Sequence, residues 1–106
     1  MAWVMLIAAG LLEVVWAFFM KQSDGFSRLY PSLVTLMAML ASFALLAAAM
    51  RSLPLGTAYM IWTGIGAVGA FLVGVVVLGE QATLLRLIAA ALIISGLVLM
   101  KVASDS

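Results

Sequence analysis

The sequence holds no histidine and no cysteine, and only four acidic and five basic residues among 106. Each shortage removes a class of function. Without cysteine there is no thiol nucleophile, no disulfide framework and no thiolate ligand. Without histidine there is no imidazole base and no ordinary zinc or haem ligand set. No cofactor or metal is implied, and a net charge of +1 offers no field for nucleic acid. Charged residues make up 8% of the chain, against about 25% in a soluble domain. That is too few to keep a folded surface wet. The chain is instead 68% hydrophobic, the composition of an integral membrane protein with room for one domain. Most enzymatic chemistry is excluded.

A bilayer core of about 30 Å is crossed by roughly 20 apolar residues in a helix. Residues 3–20 form the first such run, broken only by Glu13 and closed by the polar stretch from Lys21 to Gly25. Residues 33–50 form the second, introduced by Pro31 and Ser32, a suitable place for proline. Residues 58–78 form the third, with Thr57 as the expected N-cap and Gly79-Glu80-Gln81 as its end. Residues 84–101 form the fourth, with Arg86 and Lys101 able to snorkel to the two interfaces. The expected fold class is all-α, four transmembrane helices in a single domain at 1–106. The tail from Ala103 to Ser106 is expected to be too short to fold. A cleaved signal peptide is not expected. The first run lacks a basic leader, carries a carboxylate in its middle and meets Lys21 instead of a small-residue cleavage site.

Four spans put Arg51 and Lys101 on one side and Lys21, Arg28 and Arg86 on the other. Two against three gives the positive-inside rule almost nothing to act on. Either other factors fix the orientation, or the chain inserts both ways. Opposed copies would then pair, supplying the inverted symmetry that larger transporters carry within one chain.

Of the four acids, Asp24 lies in a loop, Glu80 at a helix end and Asp105 in the tail; Glu13 alone is mid-span. An ionised side chain at that depth costs about 2.5–3.5 kcal/mol on insertion scales. No basic residue lies at the same depth, so the counter-charge must be a proton or a cationic ligand. The plainer alternative is a protonated glutamic acid that hydrogen-bonds a neighbouring helix. Helical spacing places Gly10, Glu13, Trp16, Ala17 and Met20 on one face, with Ala9, Gly10 and Ala17 leaving room beside the carboxyl. Trp16 offers a ring face that attracts cations. Tyr59, Trp62 and Thr63 fall on a similar stripe of the third helix, although packing or an interface belt also accounts for aromatics there. Ser42 could fix the carboxylate by a hydrogen bond or simply bond back to its own helix, and Ser95 has the second option.

Residues 64–69 match G-x-G-x-x-G, but the dinucleotide reading needs a preceding strand and a soluble βαβ unit. Gly64, Gly66 and Gly69 are better read as a close-approach surface and a bendable point in a moving helix. Desolvation disfavours a bare carboxylate, so the Glu13 oxygens would hold either a proton or a cation. A pocket opening alternately to each side would then exchange the two.

Two long motifs sharpen this. L-E-V-V-W-A-x-x-x-K-x-S-x-G-F-S-R-L-x-P-S runs from Leu12 to Ser32, and L-P-L-G-T-A-Y-M-I-W-T-G-I-G-A-V-G from Leu53 to Gly69. Together they resemble the small multidrug resistance family, and within it the guanidinium exporter subtype, over essentially the whole chain. The resemblance implies an antiparallel, dual-topology homodimer in a bacterial cytoplasmic membrane. It also implies proton-coupled export, with Glu13 shared by proton and substrate. Trp16 is similar to the tryptophan of the guanidinium subtype, where exporters of polyaromatic cations have a small residue. Ser42, Tyr59 and Trp62 match the subtype's other pocket residues, and Gly10 its small neighbour. Leu92, Ile93, Gly96 and Leu97 resemble the family's dimer stripe, with Ala89 standing where some members have glycine. Met60 is bulkier than the expected alanine. Guanidinium suits the residues too, being a planar donor that matches a carboxylate bidentately and stacks on aromatic rings. The rival readings are a multidrug exporter of quaternary ammonium or polyaromatic cations, a dual-topology ion channel, and a non-transporting accessory subunit.

Overall fold

The structure, a computed structural model, describes residues 1–105 and the side chains of residues 1–103. It contains four helices: α1 (Ala2–Gln22), α2 (Leu29–Ala49), α3 (Leu55–Val76) and α4 (Leu84–Asp105). At 1.5 Å per residue, each reaches a little over 30 Å, and each is apolar enough to cross a bilayer. No strand occurs among the described residues.

The helix ends follow local chemistry. After α1 the chain turns through three successive left-handed residues, Asp24 (φ 51°), Gly25 (φ 70°) and Phe26 (φ 66°). Fully buried Ser23 organises this corner. Its hydroxyl donates to the Met20 carbonyl (2.6 Å) and accepts from the Phe26 N–H (3.0 Å). The second helix starts at Leu29, four residues before the sequence-based boundary, with Pro31 in its first turn, where a missing N–H costs nothing. Thr57 is not the cap of α3. Pro54 holds that position, with φ −59° and ψ 151°, and its carbonyl accepts the Ala58 N–H at 3.0 Å. Thr57 instead lies inside the helix, its hydroxyl 3.9 Å from Met100 Sδ.

At its far end α3 stops at Val76 rather than Leu78. Left-handed Gly79 (φ 71°) reverses the chain, and the Glu80 N–H returns to the Gly74 carbonyl at 2.9 Å. The fourth helix opens at Thr83, whose hydroxyl accepts from the Arg86 N–H at 3.2 Å. It continues through Ala103 to Asp105, because nothing after Lys101 breaks it. The expected unfolded tail is therefore helical to that point, and Ser106 lies outside the described residues.

The helices pack in the order α2, α1, α3, α4. The first helix lies against both α2 and α3, while α4 packs on α3 alone. The result is a slab of 45 × 35 × 16 Å. Its width is close to that of four helices side by side at spacings of about 8–10 Å. The row curls enough for α2 and α3 to meet over α1. Leu6, Ala9, Leu46, Ala49, Ala58, Ile61 and Trp62 form the core beneath that meeting.

Small residues set the seam between α1 and α3. A Cβ on Gly10 would lie 2.6 Å from Ile65 Cγ2, and one on Gly69 would strike Val14 Cγ2. Gly64 performs the same service for Leu97 of α4. The helix runs unbroken through Gly64, Gly66 and Gly69, all three of which receive a neighbour's side chain.

Candidate functional site

Glu13 sits midway along α1, on the side turned toward α3. Its carboxyl is laid on the backbone of Gly66, and a Cβ there would collide with Glu13 Oε1 and Cδ. Oε1 is buried and accepts no hydrogen bond from the protein. One turn further on, the buried Trp16 Nε1 has no acceptor. A donor and an acceptor three residues apart on one helix are thus both unpaired, although buried polar atoms are nearly always satisfied.

A chain of aromatic rings spans the three helices beside them. Trp16 of α1 meets Phe43 of α2 edge to face at 6.3 Å between centroids. Phe43 meets Trp62 of α3 at 5.8 Å, and Trp62 meets Tyr59 at 5.6 Å. These separations and tilts fall within the preferred range for ring pairs. Trp62 is buried, whereas Tyr59 is half exposed.

Ser42 is fully buried and takes neither course expected from the sequence. Its hydroxyl donates to the Ala9 carbonyl of α1 (2.7 Å) and accepts from Trp62 Nε1 (3.0 Å). It does not bond Glu13 in this arrangement, nor its own helix. The acceptor belongs to the residue one turn before Glu13, so the relay ties α2 and α3 to the backbone that presents the carboxyl. Ser95 does bond back to its own helix, at the Ala91 carbonyl (2.8 Å).

The room expected beside the carboxyl at Gly10 is taken by Ile65, and Ala9 is core. Thr63 is exposed. With Tyr59, Gly64, Ile93 and Leu97 it lines a cleft of about 380 Å³ between α3 and α4. Ala89, Leu92, Ile93 and Gly96 are exposed on α4, and nothing lies within 4 Å of a Cβ placed on Gly96. Leu97 alone of that set turns inward, over Gly64.

One participant escaped the sequence reading. Phe43 bridges both tryptophans, but one more apolar residue in an apolar run carries no contrast. Gly66, read as part of a close-approach surface, is the seat of the Glu13 carboxyl. No group of His, Cys, Asp and Glu suited to a metal occurs among the described residues.

A family model described as Small Multidrug Resistance protein matches residues 1–93. A protein of Yersinia pseudotuberculosis named Guanidinium exporter is 59% identical over 104 residues, covering 98% of this chain and all of its own length. Proteins of the same name from Escherichia coli K12 and Citrobacter freundii are 57% and 52% identical, each over 98% of this chain and 99% of the relative.

Proposed function

The chain belongs to the Small Multidrug Resistance family, and from that premise we propose that it exports guanidinium and small substituted guanidinium ions in exchange for protons. The setting is the cytoplasmic membrane of a bacterium, the working unit is an antiparallel dual-topology homodimer, and both ligands use Glu13. The observation that carries this reading is the Glu13 carboxyl itself. It is a mid-span acid with a buried, unpaired oxygen, pressed on Gly66 and bordered by the ring chain that starts at Trp16. The full-length relatives named Guanidinium exporter supply the substrate.

The chemistry follows from what those groups can offer. A carboxylate out of water requires a positive partner. Guanidinium presents parallel N–H donors to its two oxygens and a flat face to a ring. A proton satisfies the same oxygens, so only one ligand is held at a time. Exchange then needs no further titrating group at membrane depth. Ser42 holds the α1 backbone in register while the ligand changes. Trp16 narrows the space and disfavours bulky cations.

Reconstituted protein on solid-supported membranes tests the reading, with guanidinium and a bulky quaternary ammonium applied in turn. Wild type should give guanidinium currents, and raising the proton concentration on the substrate side should raise the apparent KM. Glu13→Gln, correctly inserted, should give none. Uphill guanidinium movement by Glu13→Gln on a proton gradient would refute the shared site. A response to the bulky cation alone would move the protein to the multidrug branch.

A further inference from the structure

A second cleft, of about 360 Å³, opens between the C-terminal halves of α1 and α3, where Glu13 does not line it. Its wall includes Val14, Ala17, Lys21, Ala67, Ala70 and Glu80. Lys21 belongs to the last turn of α1, and Glu80 follows the end of α3, so the cleft has a charged outer mouth. Val14 and Ala67 reach its inner end. Each is the next residue after a member of the Glu13–Gly66 contact, and Val14 is lodged on Gly69. On both helices the cleft therefore comes within one residue of the Glu13 seat.

Glu80 is held at the mouth by two contacts. Its backbone N–H donates to the Gly74 carbonyl at 2.9 Å, and its carboxyl lies on Gly74 where a Cβ would otherwise be. Arg86, nearby in sequence, donates a guanidinium N–H to the Gln81 carbonyl at 3.2 Å. The backbone bond does not involve the side chain, so the carboxyl can change partners without breaking it.

We propose that this cleft is a vestibule in which the Glu80 carboxylate holds the transported cation before it passes Val14 to Glu13. The proposal rests on the transport reading above. A carboxylate at the mouth of a low-dielectric cleft concentrates cations there, and its paired oxygens match a planar N–H donor. Lys21 on the facing wall keeps the hold weak. A station on a path must release what it captures.

The chain has no cysteine, so Ala70→Cys supplies a single thiol inside the cleft. In a Glu13→Gln background, which removes the deeper site, that thiol should react with a water-soluble maleimide. Millimolar guanidinium should slow the reaction. Adding Glu80→Gln, which keeps the backbone bond, should abolish the protection, and Glu80→Asp should retain it. An unreactive thiol, no protection with Glu80 present, or full protection in Glu80→Gln would each overturn the proposal. With Glu13 intact, Glu80→Gln should raise the guanidinium KM by about tenfold and leave saturating turnover unchanged. A fall in turnover at constant KM would mean a structural role only. Absence of guanidinium transport by wild type would instead refute the underlying reading, and the thiol assay reports on the cleft independently of it.

Discussion

At the scale of single residues, the candidate site is an acid placed on a glycine. Glu13 reaches Gly66 because no side chain is there to stop it, and even a methyl group must displace the carboxyl. Gly66→Ala should therefore leave insertion intact and lower guanidinium transport in proteoliposomes by about tenfold or more, since small misplacements of a binding group are costly. An unchanged initial rate would show that the seat is dispensable. Ser42→Ala removes both bonds of a buried relay and strands the Trp62 N–H, while the Ala9 carbonyl keeps its bond within α1. Unfolding in detergent should register a loss of about 1–3 kcal/mol; a loss indistinguishable from zero would mean the Trp62 N–H finds another acceptor. Residues of this kind were legible in unequal measure. Glu13, Trp16 and Tyr59 stand out because polar or amphipathic groups are rare in an apolar run. Ser42 also stood out, but a hydroxyl can satisfy itself in several directions, and its actual acceptor depends on how α2 lies across α1.

At the scale of elements, α1 is the common neighbour. It contacts α2 on one flank and α3 on the other, and glycines on α3 let it come close. The G-x-G-x-x-G stretch is the clearest instance of a pattern whose chemistry depends on its setting. In a membrane helix its three glycines become three sockets, for Leu97, Glu13 and Val14. Gly64→Val should expel Leu97 and loosen α4, the helix with the least packing. We expect a destabilisation of about 1–3 kcal/mol, measured by thermal unfolding in detergent. Relief by the added change Leu97→Ala would attribute it to that socket. The spans could be read because length and hydropathy are local. Their ends shifted by up to four residues, because helix ends depend on backbone caps and turns. Pro54 starts α3 with its own backbone, whereas Thr57 advertised a side-chain cap that the helix does not need.

At the scale of the whole molecule, the order of the row could not be read. Helices of such high mean hydropathy give no single apolar face to match, unlike the amphipathic helices of soluble proteins. The near balance of Lys21, Arg28 and Arg86 against Arg51 and Lys101 was legible, and it supports a prediction. Two added lysines beside Arg51 should bias insertion to one orientation and abolish guanidinium export by the variant expressed alone. Co-expression with a variant biased the other way, by lysines beside Lys21, should restore it. Full activity of the first variant alone would refute the opposed pairing.

The slab is only 16 Å deep, and a layer so thin has faces but scarcely an interior. Nearly everything chemical in it is borne on a wall. If two opposed copies close the chamber, as proposed, the gene encodes half a room and the cell builds both halves from one plan. Every heritable change to the chamber is then made twice, once on each wall. Any difference between the two walls must come from posture, because composition allows none.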